Sequence, residues 1–133
     1  MSEKATSTVV TSSITTEAVV SLITGTDFVA NDPGVNGVAV ICHINVTASA
    51  TAATATYKIR QGNGITGTTI FTGTAIPFLT GVLTQSHTVA FLDTSAAALA
   101  GNPLDYSVTA TGAGGTLTIN SATATARGVT SAQ

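Results

Sequence analysis

The stretch "GVAVICHINVT", residues 37–47, alternates with a period of two. Val38, Val40, Cys42, Ile44 and Val46 share one parity; Ala39, Ile41, His43, Asn45 and Thr47 share the other. Successive side chains of a strand point to opposite faces, so this pattern predicts one strongly apolar face and one mixed face. "TATYKIRQ" (54–61) alternates as cleanly, with Ala55, Tyr57 and Ile59 inward and Thr56, Lys58 and Arg60 outward. Further strands are expected in "STVVTSSITTEAVVSLI" (as two pieces), "TTIFTGTAI", "SHTVAFLD", "LDYSVTATG" and "GTLTINSATATAR". The last changes phase. Leu117 and Ile119 share one parity while Ala122, Ala124 and Ala126 hold the other, which predicts a bulge near Asn120–Ser121.

"DFVANDPGVNG" and "GAGG" read as turns, and "TSAAALAGNP" (94–103) is the one helical candidate, capped by Thr94 or Ser95 and stopped by Gly101 and Pro103. Short strands separated by turn clusters make an all-β antiparallel sandwich or barrel with at most one short helix near 94–100. A single domain is expected over 9–127, with an N-terminal tail at 1–8 and a C-terminal tail at 128–133.

"GNGITG", residues 62–67, has the G-x-G-x-x-G spacing of a dinucleotide-binding turn. That chemistry needs a helix N-terminus to receive the pyrophosphate. The next segment, "TTIFTGTAI", is β-branched and interrupted by glycine, so the glycines of 62–67 read as hairpin residues. Asn63–Gly64 is expected as the tight turn and Gly67 as a further bend or bulge.

Charge narrows the function. Only 8% of the residues are charged, against roughly 25% in an ordinary soluble domain. The net charge is −2 with four Lys/Arg, too little positive charge to hold a phosphate backbone, so no nucleic-acid partner is expected. Lys58 and Arg60 are expected to form a solvated stripe. No apolar run reaches the roughly 20 residues that span a bilayer, and the first residues carry no secretory signal, which predicts assembly in the cytoplasm. The sequon at Asn45 then carries no message.

The titratable residues do not converge on a motif. Glu3, Glu17, Asp27, Asp32, Asp93, Asp105, His43, His87 and Cys42 supply no HExxH, CxxC pair, P-loop or GxSxG pattern. Cys42 reads as a small core residue, and a lone cysteine forms no intrachain disulfide. His43 and His87 read as histidines hydrogen-bonded in or beside a sheet. Asp27, Asp32 and Asp93 read as turn and cap residues. No catalytic, cofactor or metal site is expected, and the chain is read as not an enzyme. Sandwiches guard their edges with Lys, Pro and inward charge, and this chain has little of these. Much of its surface is therefore expected to be covered in a homo-oligomer or larger assembly.

The segments "ATYKIRQGNGITGTTIFTG", "HTVAFLDT" and "LDYSVTATGAGGTLTINSATATAR" resemble small β-rich virion proteins, the capsid decoration or cement proteins of tailed bacteriophages. The likeness covers roughly residues 37–127. It implies a jelly-roll-like sandwich, a dimer or trimer seated on the capsid exterior, and the major capsid protein as partner, without catalysis. The same style is similar to trimeric jelly rolls of bacterial surface, spore-coat or filament subunits, which imply an export route.

Overall fold

The computed structural model describes residues 3–7, 11–24, 35–99 and 104–130. Ten strands are assigned among them: β1 (Glu3–Ser7), β2 (Thr11–Ile14), β3 (Ala18–Ile23), β4 (Val35–Ala48), β5 (Thr54–Gln61), β6 (Thr68–Thr72), β7 (Ile76–Pro77), β8 (Thr84–Asp93), β9 (Tyr106–Ala113) and β10 (Leu117–Thr130). Among the described residues the one α-helix, α1, is a single turn at Ala96–Leu99. It falls inside the expected 94–100 window.

The strands form two antiparallel sheets. Sheet A runs β1-β10-β4-β8, with β2 also on β10; sheet B runs β3-β9-β5-β6, with β7 on β5. Counting β1/β2 and β6/β7 as one strand each leaves eight, ordered 1-8-3-6 and 2-7-4-5. That is the double Greek key of a jelly roll.

The core arises from strand parity. Val38, Val40, Cys42, Ile44 and Val46 of β4 are buried, facing Ala55, Tyr57 and Ile59 of β5 and Tyr106, Val108 and Ala110 of β9. β10 keeps its apolar residues inward on both sides of a register shift between Ile119 and Ser121. The bulge lets Leu117 and Ile119, then Ala122, Ala124 and Ala126, all reach the core.

Two expectations need correction. Asn63 is extended at φ −93°, and the β5–β6 connection is a six-residue loop with a 3-10 turn at Gly64–Thr66, not a two-residue Asn-Gly turn. Gly64 does take the positive φ (+83°) expected of it. Residues 3–7, expected as tail, lie along β10, whose backbone groups from Ser7↔Thr123 to Glu3↔Arg127 they pair; β10 itself runs on to Thr130. A fourteen-residue strand leaves a long row of N–H and C=O groups, and β1 satisfies part of it. The turn at 27–37 falls mostly outside the described residues, with Asp27 and Asp32, as do Gly101 and Pro103.

Candidate interaction surface

The outward residues of β4, β8 and β10 form one face of sheet A. The β4–β8 ladder runs without a register shift from Val38↔Asp93 to Thr47↔Thr84, so its side chains stand in rungs. The polar rungs satisfy one another. Thr47 and Thr84 hydroxyls are 2.8 Å apart, Asn45 Nδ2 donates to Ser86 Oγ (3.4 Å), and His43 Nδ1 lies 3.1 Å from Thr88 Oγ1. Asn120, at the bulge, donates to Asn45 Oδ1 and Thr47 Oγ1.

The other half of the face is mostly apolar on β4 and β8, bordered on β10 by Thr125 and the exposed Arg127. Ile41 (40% exposed) pairs with Ala90, and Ala39 pairs with Leu92 (45% exposed). A shallow depression of about 200 Å³ lies over Ala39, Ile41, His43, Thr125 and Arg127. An exposed β-branched or leucine side chain alone is ordinary; an apolar group of Ala39, Ile41, Ala90 and Leu92, bordered by Arg127 and set beside a self-satisfied polar half, has the make-up of a contact surface.

A second feature opens at the edge of the sandwich. A cleft of about 260 Å³ is lined by Tyr57, Phe71, Ile76, Thr88, Val89 and Ala90, among others. Phe71 and Phe91 rings pack nearby at 5.4 Å between centroids. Behind it His87, 7% exposed, holds Tyr57 OH at Nδ1 (2.7 Å) and Gln85 Oε1 at Nε2 (3.0 Å). Burial pushes the His87 pKa down and the Tyr57 pKa up, so both rest neutral. With Tyr57 donating to Nδ1 and Nε2–H donating to Gln85, the neutral ring is fully satisfied.

The remaining polar groups hold the structure together. Asp93 is buried; desolvation opposes its charge, but hydrogen bonds outweigh that and its pKa is lowered. Its Oδ1 accepts Ser95 N–H (2.9 Å), as a cap would, and its Oδ2 accepts Gln61 Nε2 (2.7 Å) and Tyr106 OH (2.8 Å). That tie fixes α1 to sheet B. Arg60 and Lys58 do not form the solvated stripe expected of them. Arg60 grips Glu17 with two 2.7 Å bonds, Lys58 Nζ stands 4.0 Å from the same carboxylate, and Thr109 Oγ1 donates to it. The Arg60 bonds are the main cause holding Glu17 down at about 2. Cys42 is buried as expected, and burial pushes its thiol up to about 12.

In the 62–67 loop, Gly64 N–H donates to Ser107 Oγ (2.8 Å) and Gly62 N–H to Asp105 O (2.8 Å). Those are amides a phosphate loop would offer to its ligand, and the segment after them is strand β6. Among the described residues, no three His, Cys, Asp or Glu stand close enough to hold a metal ion, and no helix is long and apolar enough to cross a membrane.

No protein-family model and no curated sequence matches the chain. Solved structures do. T=1 particles derived from infectious bursal virus match over 95% of this chain and 32% of theirs, at TM-score 0.54 and 15% identity. The VP2 subviral particle of infectious bursal disease virus matches over 95% and 33%, at TM-score 0.55 and 9% identity. A Bacillus endospore appendage structure, of a family of disulfide-linked pili, covers 98% and 90% at 16% identity; its TM-score of 0.43 is too low to bear on the fold. The chain spans about one third of the virus chains it matches. At these identities the likeness establishes architecture: the chain has a viral-particle type of β-sandwich, of the kind found in infectious bursal disease virus particles.

Proposed function

We propose that this chain is a non-enzymatic structural subunit of a virion, a capsid decoration (cement) or minor capsid protein. In this reading it works as a homo-oligomer on the shell exterior, is assembled in the host cytoplasm, and binds the major capsid protein, with no nucleic-acid or membrane partner. The observation that carries the reading is the outer face of sheet A. Its polar rungs are already paired among themselves, and its apolar half, centred on Ile41 and Leu92, has no cover among the described residues. A fold shared with virus particles supports the same reading. The sandwich supplies a rigid body, and the apolar half of the face supplies the shell contact.

Co-sedimentation with tailed-phage shells stripped of decoration protein tests it. Ile41→Lys and Leu92→Lys add charge at exposed positions and should leave the melting temperature nearly unchanged while binding falls at least tenfold, since burying an unpaired ammonium costs more than the roughly 1.4 kcal/mol that tenfold represents. Undiminished binding by both variants would remove this face from the proposal.

A further inference from the structure

Sheet edges invite other strands, and most edges in this molecule are blunted. On sheet A, the β1/β2 edge is divided into two short strands, with Glu3 and Lys4 in the first and a register shift in the second. On sheet B, β3 is six residues long with a shift between Val19 and Ser21. The opposite edge is made of β6, five residues with a shift on its partner β5, and β7, two residues including Pro77. These are the devices by which sandwiches avoid edge-to-edge pairing.

β8 has none of them. It is ten residues long, roughly 34 Å of extended chain, hydrogen-bonded to β4 alone among the described strands and without a shift along its length. It holds no proline, glycine or lysine, and its one carboxylate, Asp93, is buried at the far end. The geometry points to β8 as the edge through which a second copy of this chain adds to sheet A, antiparallel about a two-fold axis.

Two observations favour a second copy over a foreign strand. A two-fold centred on Thr88 sets Thr88 against its own copy, Ser86 against Ala90 and Thr84 against Leu92. Every opposed pair on the outward face is then small or neutral, with no like charges in register. The apolar cleft also opens beside Thr88, Val89 and Ala90, the middle of the strand, where such an axis passes. Joining two copies there brings cleft against cleft and adds the walls around Phe71 and Ile76 to the contact, toward the roughly 800 Å² per partner of a standard interface. The result is one sheet running through both molecules.

This inference rests on the homo-oligomeric part of the proposed function and sharpens it to one surface. Light scattering of the whole chain at micromolar concentration should give the mass of two chains. Thr88→Lys and Thr88→Glu, both at an exposed position, should each give one chain with an unchanged circular dichroism spectrum, and mixing the two should restore the pair. Amide exchange on the unaltered protein supplies a test free of mutation: β8 amides should become slower to exchange as concentration rises. An oligomer that survives Thr88→Lys, with β8 exchange indifferent to concentration, would overturn the β8 assignment and leave another oligomeric surface standing. A wild-type monomer at every concentration would overturn both this and the oligomeric reading. Pairing of β8 with a peptide or foreign protein, in a chain that stays monomeric alone, would also overturn it. Shell co-sedimentation speaks separately to the virion role.

Discussion

Glu17 sits in a loop between β2 and β3, yet it ties that loop to two strands, β5 and β9. Its carboxylate accepts from Arg60 of β5 and Thr109 of β9, which is why its pKa falls from 4.5 to about 2. A carboxylate held below its unfolded value adds stability above about 4.5 that is lost as pH falls toward 2. His87 adds an earlier loss. Its folded pKa lies below 6.5, so below that pH the unfolded chain takes up a proton that the native ring refuses. The melting temperature should therefore hold level from pH 6.5 to about 9, where the unfolded chain begins to shed the Cys42 proton that the native state keeps; it should decline below 6.5 and drop again under about 4.5. Glu17→Gln should lower the plateau by several degrees and flatten the second drop; a thermal-shift series across pH reads both. Ser21 presents the opposite case. Its hydroxyl is buried with no hydrogen-bond partner among the described residues. Ser21→Ala removes an unsatisfied group and should stabilise the fold by about 1 kcal/mol in denaturant unfolding. A loss of stability would mean that the hydroxyl has a role the geometry does not show.

At the scale of elements, the 62–67 loop shows how a motif's spacing can outlive its meaning. Gly64 holds φ +83°, and although a Cβ there would meet nothing within 4 Å, a β-branched residue resists that backbone. Gly64→Val should cost about 1–3 kcal/mol, and Gly64→Asn, which tolerates positive φ, clearly less. Chemical denaturation of the two variants checks the difference. Parity within β4 and β5, the phase change at Asn120 and the single helical turn after Asp93 were legible because each is a local pattern of a few residues. The ion pair of Glu17 with Arg60 was not, since its partners lie 43 positions apart. Nor was the reach of Asp93 to Gln61, 32 positions away, although Ser95 as its cap partner was within sight. Pairings like these exist only once sheet order is fixed. The same holds for the contact surface: Ile41 could be read as outward, but its neighbours Ala90 and Leu92 come from a strand that only the ladder places beside it.

For the whole molecule, the outstanding property is a rigid sandwich whose two long sheets are tied by buried polar networks and whose outside carries little charge. The Asp93 and Tyr57–His87–Gln85 clusters give the interior specific partners, so the body need not deform to make contacts. A contact made by Ile41, Leu92 and the edge of β8 then depends mainly on shape and apolar area, with Arg127 as the charge at its border. Salt and temperature tell these apart. Ionic strength screens charges and leaves apolar burial almost untouched, while apolar attraction itself weakens on cooling. Assemblies built through this face should therefore ride out a change from dilute buffer to molar sodium chloride, and loosen in the cold. A particle held by such subunits would be hardy in brine and most easily taken apart on ice.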